Sequence, residues 1–495
     1  MHTLYTVMKQ IFPNATFCLA ALLCFGSASM SAKSVKDEVK NHFMKVLRQD
    51  IPSPIPTDIE RTLKSKDIDK YKTLVWQAWQ EANAQTVEEK LIPLRSLCPK
   101  NKGAWHLPEQ LEPSASMPYY WGIKWKALTT EEIQKNYQAG FQGDDSSTTD
   151  ERIGASKPFP MYLYLHGSGP KDDEWKFSLM WTQYFDDAES VYFVPQIPNE
   201  GQYYRWWQQS KQYAWEKLIR LALAGGDIDA NRMYVLGVSE GGYGSQRLAS
   251  FYADYWAAAG PMAGGEPLKN APVENCANIG FSLLTGALDE GFYRNRLTGY
   301  TIAAFDSVQQ VWAKKQTTAT DSATPLFRHR TELVPNCQHS IDYSPTTPWL
   351  KTFVRNPYPK TVLWEDFLMD GRHRHGFYNL VVLSRPAERT YYEMTISGNT
   401  VNLTVSDVDY ETIETDPNWG IDLMFHRHYR PSTQGKWRLY LNDTLVDLQH
   451  PVTIIVNGKK AFEGKVTPRL QDMIDSCQEF FDPYRIYPAS VEIAI

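Results

Sequence analysis

The sequence predicts an α/β fold with a doubly wound, mostly parallel sheet, and three observations predict it. Met233–Tyr243 (MYVLGVSEGGY) runs a strand-like segment into Gly-x-Ser-x-Gly, and the small and apolar residues that follow suit a helix. Upstream, Pro160–Pro170 (PMYLYLHGSGP) is a short apolar strand ending in a glycine-bearing turn. Around these, strand-length apolar runs alternate with helix-length segments: Ser190–Pro195, Ser210–Ala224, Tyr255–Gly265, Gly280–Gly286, Thr298–Lys315 and His329–Pro335. That rhythm is the mark of parallel strands joined by crossover helices.

A chain of 495 residues, 42% hydrophobic and 22% charged, is too long for one core of ordinary size, so two or three domains are expected. The net charge of -6 argues against a nucleic-acid-binding chain, which would carry a basic stripe. Residues 1–30 read as a leader: Lys9 gives a weak positive start, Phe17–Phe25 (FCLAALLCF) is apolar but too short to span a bilayer, and Gly26–Ser29 offers small residues for cleavage. Export to the periplasm or beyond is the expectation. Lipidation at Cys24 is the alternative, but Ala21-Leu22-Leu23 lacks the small residue that usually precedes a lipidated cysteine. No later run approaches the ~20 apolar residues of a transmembrane helix. Without the leader, Cys98, Cys276, Cys337 and Cys477 remain. Their even number permits disulfides without choosing a pairing, and no two stand at metal-ligand spacing.

Residues 31–157 form an N-terminal accessory region. Ser34–Asp50 and Pro56–Ala84 carry apolar residues at helical spacing, and short β-prone pieces broken by prolines follow. Phe141–Lys157 is polar and glycine-bearing, a surface loop. The region is expected to cover the sheet edge.

Residues 158–355 hold the chemistry. A serine between glycines at a strand-to-helix turn is forced into a strained backbone that pushes its hydroxyl out of the sheet, which makes Ser239 the candidate nucleophile. The turn His166-Gly167-Ser168-Gly169 can aim backbone N–H groups into a cavity. An oxyanion hole would take one donor from the amide of Ser168 or Gly169 and one from that of Glu240. Asp289 follows the strand-like GFSLLTG, and His339 follows the next one in PNCQHS. An imidazole can take the serine proton while a carboxylate fixes its tautomer. Glu290 adjoins Asp289 and Asp342 lies near His339, so each is a rival for the acid. In Gly201–Trp207 (GQYYRWW), Tyr203, Tyr204, Trp206 and Trp207 either line an acceptor subsite or pack beneath a cap.

In HGSG, DIDANRMYVLGVSEGG, GALDE and CQHSIDYSPTTPWL, the chain resembles α/β-hydrolases of the secreted esterase type, such as polyhydroxybutyrate depolymerases and feruloyl esterases. The likeness runs over Pro158–Val354 and says nothing of the remainder. It implies ester cleavage through an acyl-enzyme, with Ser239, Asp289 and His339 in chain order and no cofactor. The expected substrate is a small-molecule or glycan ester, the glycan part being suggested by the leader and the aromatic-rich Gly201–Trp207 stretch. A prolyl-oligopeptidase-like serine peptidase shares this fold and order, though no propeller-like repeat precedes the core. A glycan-binding protein on a hydrolase scaffold is the other alternative.

Residues 356–495 are predicted to be a separate β-rich, sandwich-like domain. Runs such as TVLWE, YNLVVL, TYYEMTI, TVNLTV, WRLYL and VTIIV are punctuated by SGN, LND and VNGK turns, and Pro468–Phe481 is its one expected helix. His373 and His375, like His426 and His428, share a strand face, but that spacing alone is read as solvated or hydrogen-bonded histidine.

Overall fold

The computed structural model describes residues 35–49, 51–138, 158–316 and 325–495. The leader expected over 1–30 and the loop expected over 141–157 lie outside the described residues.

Eight strands form the main sheet: β1 (Lys102–His106), β2 (Ser116–Lys124), β3 (Phe159–Leu165), β4 (Ser190–Pro195), β5 (Ile228–Val238), β6 (Ala258–Met262), β7 (Gly280–Gly286) and β8 (His329–Val334). Their spatial order is β1-β2-β4-β3-β5-β6-β7-β8. Strands β3 to β8 are mutually parallel, and β2 runs antiparallel to both of its neighbours. This is the α/β-hydrolase arrangement. Side chains alternate across it as a pleat requires. Tyr162, Tyr164, Tyr192, Tyr234 and Leu236 face one side; Met161, Leu163, Val191, Phe193, Met233 and Val235 face the other.

Residues 35–47 form helix α1, and the further helices are α2 (Ile68–Gln85), α3 (Thr130–Gln138), α4 (Lys171–Tyr184), α5 (Gln209–Gly225), α6 (Glu240–Phe251), α7 (Arg294–Gln316), α8 (Thr346–Leu350) and α9 (Leu470–Phe480). Trp175 and Leu179 of α4 cover the tyrosine face together with Leu350 of α8. Helices α5, α6 and α7 cover the opposite face through Trp215, Leu218, Leu248 and Phe305.

The C-terminal region contains β9 (Thr361–Asp366), β10 (Gly376–Phe377), β11 (Leu380–Ser384), β12 (Thr390–Ser397), β13 (Thr400–Thr415), β14 (Asp422–Pro431), β15 (Lys436–Leu441), β16 (Val452–Val456), β17 (Lys459–Gly464) and β18 (Ala489–Ala494). One sheet runs β10-β11-β15-β18; the other runs β17-β16-β13-β12-β9, with β14 paired to β13. Trp364 of β9 stacks on Phe377 of β10 at 5.2 Å and Tyr392 meets Trp437 at 6.2 Å, so the two inner faces close on aromatic rings.

Three expectations change. Strands β1 and β2, assigned in sequence to the accessory region, extend the hydrolase sheet: Met117, Tyr119, Trp121 and Ile123 join its core in the period-2 pattern of a strand. The second expected helix starts at Ile68 instead of Pro56, because the stretch before it pairs with the C-terminal region: Thr62 bridges Arg469, and the Leu63 amide donates to Pro468 O at 2.8 Å. Helices α1 and α2 bury Val39, Phe43, Val75 and Trp79 against Met473, Ile474 and Cys477 of α9, so the N-terminal region packs on the C-terminal helix. The apolar interior of the sandwich runs on into that of the hydrolase unit: Val362, Trp364, Leu380, Leu403 and Trp437 belong to the same continuous apolar cluster as the α5–α7 face of the hydrolase sheet. Cys98, Cys276, Cys337 and Cys477 are free thiols. Among the described residues no helix is long and apolar enough to cross a membrane, and no group of His, Cys, Asp and Glu is placed to hold a metal. His373 bonds Asp366 and His375 bonds Glu479 instead.

Candidate active site

Ser239 sits between the end of β5 and the first turn of α6 with φ 56° and ψ −114°, a conformation that L-residues rarely adopt. The chain can turn this sharply because of the glycines around it. A Cβ on Gly241 would lie 2.0 Å from the Leu165 carbonyl oxygen, and one on Gly242 would lie 2.3 Å from that of Met262. The elbow is anchored by the Ser239 amide, which donates to Met262 O at 3.0 Å.

The structure brings the three predicted residues together. His339 Nε2 lies 3.0 Å from Ser239 Oγ, and His339 Nδ1 lies 2.7 Å from Asp289 Oδ2. With Asp289 ionised, Nδ1 carries the proton and Nε2 faces the hydroxyl as an acceptor. The rivals for the acid are elsewhere: Glu290 is exposed, and Asp342 caps the Ser344 amide at 2.9 Å. Asp289 is buried and does not face the imidazole alone. Arg294 grips it with two bonds, Nε to Oδ2 at 2.8 Å and Nη2 to Oδ1 at 2.6 Å. Burial pushes the Asp289 carboxyl up, but the hydrogen bonds from Arg294 and His339 outweigh it and hold the group below its ordinary value. Sequence reasoning missed Arg294. The signal was an arginine five residues past the acid, in a turn whose path the sequence does not give.

The HGSG turn is built from beneath. His166 is fully buried and pushed down to about 4 by burial, so it is neutral. Its Nδ1–H donates to Gly167 O at 2.7 Å and its Nε2 accepts from the Ile197 amide at 3.0 Å. Tyr204 Oη reaches Gly167 O at 2.7 Å and Gly169 O at 3.0 Å, while Trp206 Nε1 donates to His166 O at 2.9 Å. Of the aromatic stretch, then, Tyr204 and Trp206 support the turn from below, whereas Trp207 lines the cleft in front of Ser239. The expected oxyanion donors narrow as well. The Gly169 amide is occupied, donating to Glu174 Oε1 at 3.1 Å, because Glu174 of α4 curls back over the turn. The amides of Ser168 and Glu240 have no protein acceptor among the described residues.

The cleft beside Ser239 has a volume of about 490 Å³. One wall is charged. Arg247 donates from Nε to Glu266 Oε1 at 2.7 Å and lies 3.9 Å from the Trp207 ring centre. Glu240 is buried, with Arg205 Nη1 3.6 Å from Oε2 and no hydrogen-bond donor on Oε1. Burial pushes this carboxyl up to about 7, with Glu266 reinforcing the shift and Arg205 and Arg247 opposing it. The outer wall holds Phe292 together with Trp419, Gly420, Ile421 and Asp422 of the C-terminal region.

No protein-family model matches the sequence, and the comparison with curated proteins returns no match. Among solved structures, a thermostable esterase is 17% identical with a TM-score of 0.29, the alignment covering 51% of this chain and 60% of that one. The fluorophosphonate-binding serine hydrolase F of Staphylococcus aureus is 12% identical with a TM-score of 0.29, over 51% of this chain and 94% of that one. A ferulic acid esterase of Anaeromyces mucronatus is 13% identical with a TM-score of 0.30, over 51% of this chain and 89% of that one. The assignment of the α/β-hydrolase fold rests on the strand order and the elbow described above.

Proposed function

We propose that the protein is an exported serine hydrolase that cleaves carboxylic esters, in particular acyl groups carried on glycans, through an acyl-enzyme. The observation that carries this reading is the unbroken hydrogen-bond series Ser239 Oγ, His339, Asp289, Arg294 at the head of a β-strand elbow. Ser239 Oγ attacks the ester carbonyl carbon as His339 Nε2 takes the hydroxyl proton, and the carbonyl electron pair moves onto oxygen. The amides of Ser168 and Glu240 receive that oxyanion. Asp289 stabilises the imidazolium, and Arg294 keeps the carboxylate ionised and fixed in angle. On collapse, the C–O bond to the alcohol breaks and His339 returns its proton to the leaving oxygen. Water then attacks the acyl carbon, giving its proton to His339, and the acid departs as Ser239 is regenerated. The apolar stretch and small residues of the leader support export, and the charged side chains and aromatic edges of the cleft support a glycan substrate.

Purified protein should hydrolyse small acyl esters and be labelled by a fluorophosphonate, and Ser239→Ala should lose both while keeping its melting temperature. The oxyanion donors alone would leave a residue of rate at least a thousandfold down. Labelling of a folded Ser239→Ala variant would remove the nucleophile assignment. Cleavage of a proline-containing peptide amide with a kcat/KM equal to that for the ester would make the protein a peptidase instead.

A further inference from the structure

The cleft is closed on its outer side by a part of the chain that the hydrolase sheet does not supply. The long strands β13 and β14 form a hairpin that leaves the sandwich, and its tip, Asp416–Ile421, ends against the turn that carries Asp289. The tip is tied by its own hydrogen bonds. Asp416 is buried and accepts the Trp419 amide at Oδ2, 2.5 Å, while the Gly420 amide donates to Asp416 O at 3.0 Å. Three ties hold it to the hydrolase unit: Tyr293 Oη to Asp416 Oδ1 at 2.8 Å, Lys269 Nζ to Asp422 Oδ2 at 3.0 Å, and the bidentate pair of Arg296 with Glu414 at 2.8 and 2.5 Å.

What this fixed tip presents is aromatic surface facing water. Trp419 is 65% exposed and Phe292 45% exposed, with ring centres 4.8 Å apart and planes at 58°. Phe292 itself is held at φ 50°, a left-handed conformation unusual for an aromatic residue. A single exposed aromatic side chain needs no explanation. Two of them, tilted against each other at the mouth of the cleft and held by a buried aspartate and a strained turn, are placed for a ligand face. The other residues that line the cleft bear on which ligand. They include Glu240, neither of whose carboxyl oxygens accepts a hydrogen bond from a described residue, and the Arg247–Glu266 pair. A flat aromatic acyl group would satisfy the rings and leave those charges desolvated, which is unfavourable. A ring with one apolar C–H face and hydroxyls at its edge satisfies both walls.

We infer that the β13–β14 tip and Phe292 form the alcohol-side subsite of this hydrolase, and that it takes a pyranose ring stacked on Trp419 with its hydroxyls toward the Glu240, Arg247 and Glu266 cluster. The inference rests on the ester-hydrolase reading and names the alcohol portion of its substrate. Trp419 is a specificity residue here, away from the reacting atoms.

The test compares mono-O-acetylated methyl pyranosides (xylo, gluco, manno and galacto) with ethyl acetate and methyl ferulate, in the wild type and in Trp419→Ala and Trp419→Phe. The wild type should prefer at least one acetyl pyranoside over ethyl acetate. Trp419→Ala should lower that preference about tenfold, mainly through KM, and Trp419→Phe should restore part of it. A preference unchanged within twofold in Trp419→Ala overturns the inference while leaving the ester reading standing, as does a loss confined to methyl ferulate. If the wild type turns over no ester, the ester reading itself fails and the subsite falls with it.

Discussion

Glu240 serves through two different atoms, and they can be separated. Its amide stands at the head of α6 without an acceptor, while its carboxyl is 8% exposed beside the cleft and held at about 7 by burial. In the unfolded chain the same group ionises near the ordinary 4.5. Below that pH both states hold the proton. Between about 4.5 and 7 the unfolded chain releases it and the folded protein does not, so stability falls as pH rises through this window and levels off above it. The loss is on the order of 3 kcal/mol for a shift of this size. Glu240→Gln keeps the amide and stays neutral, so it should gain on the wild type between pH 4.5 and pH 8 by up to that amount. Urea unfolding at the two pH values measures it; an equal difference at both would show that the carboxyl ionises normally in the fold. At this scale the sequence was legible where chemistry is written in a local pattern. Ser239 stands in its elbow motif, and Asp289 and His339 each follow a strand-like run. Arg294, Glu174 and Trp419 were not legible, because each reaches the site from a turn, a helix or a hairpin whose path depends on tertiary packing.

Among the elements, the elbow between β5 and α6 is the most constrained. Gly241 lets α6 approach the end of β3 so closely that a methyl group there would sit 2.0 Å from the Leu165 carbonyl oxygen, which is backbone and cannot swing aside. Gly241→Ala should therefore cost at least about 3 kcal/mol or abolish soluble expression, as overpacking against backbone does. Gly299 in α7 is the contrast: a Cβ there meets nothing within 4 Å. Gly299→Ala should raise stability by up to about 1 kcal/mol through helix propensity. Thermal melts of the two variants decide the point, and similar Tm values would mean the elbow can relax. The elements from β3 to β8 were readable because buried parallel strands are continuous apolar runs between helices. Strands β1 and β2 were not, since they form an antiparallel edge interrupted by turns and by Pro118, and their apolar residues resemble those of any half-buried loop. The hairpin tip was hidden for a related reason. DPNWGI reads as a turn, and only the pairing of β13 with β14 carries it to the cleft.

For the whole molecule, the open question is whether hydrolase unit and sandwich fold apart, as the β-rich runs beyond residue 356 suggest. Between them lies a buried ladder of charges. Asp254, in the loop before β6, receives two bonds from Arg374 at 3.1 Å each and one from Arg485 at 2.6 Å. Arg485 also bonds Asp482 at 3.0 Å, and Arg355 meets the same Asp482 at 2.7 Å while donating to Asp254 O at 2.9 Å. The side chains of Asp254, Asp482, Arg355 and Arg485 are fully buried. Removing one member of such a network leaves a charge in the interior without its partner, which costs roughly 3–5 kcal/mol, more than the interaction itself is worth. Asp254 belongs to the hydrolase unit and both of its arginines to the C-terminal region, so the cost of Asp254→Asn falls on the contact between them. The apolar core is also continuous across that contact. Asp254→Asn should accordingly lower one unfolding transition shared by both parts, seen alike in calorimetry and in near- and far-UV circular dichroism, instead of releasing the sandwich. Two transitions in the wild type, with only the upper or lower one moved by the substitution, would show that residues beyond 356 hold a core of their own.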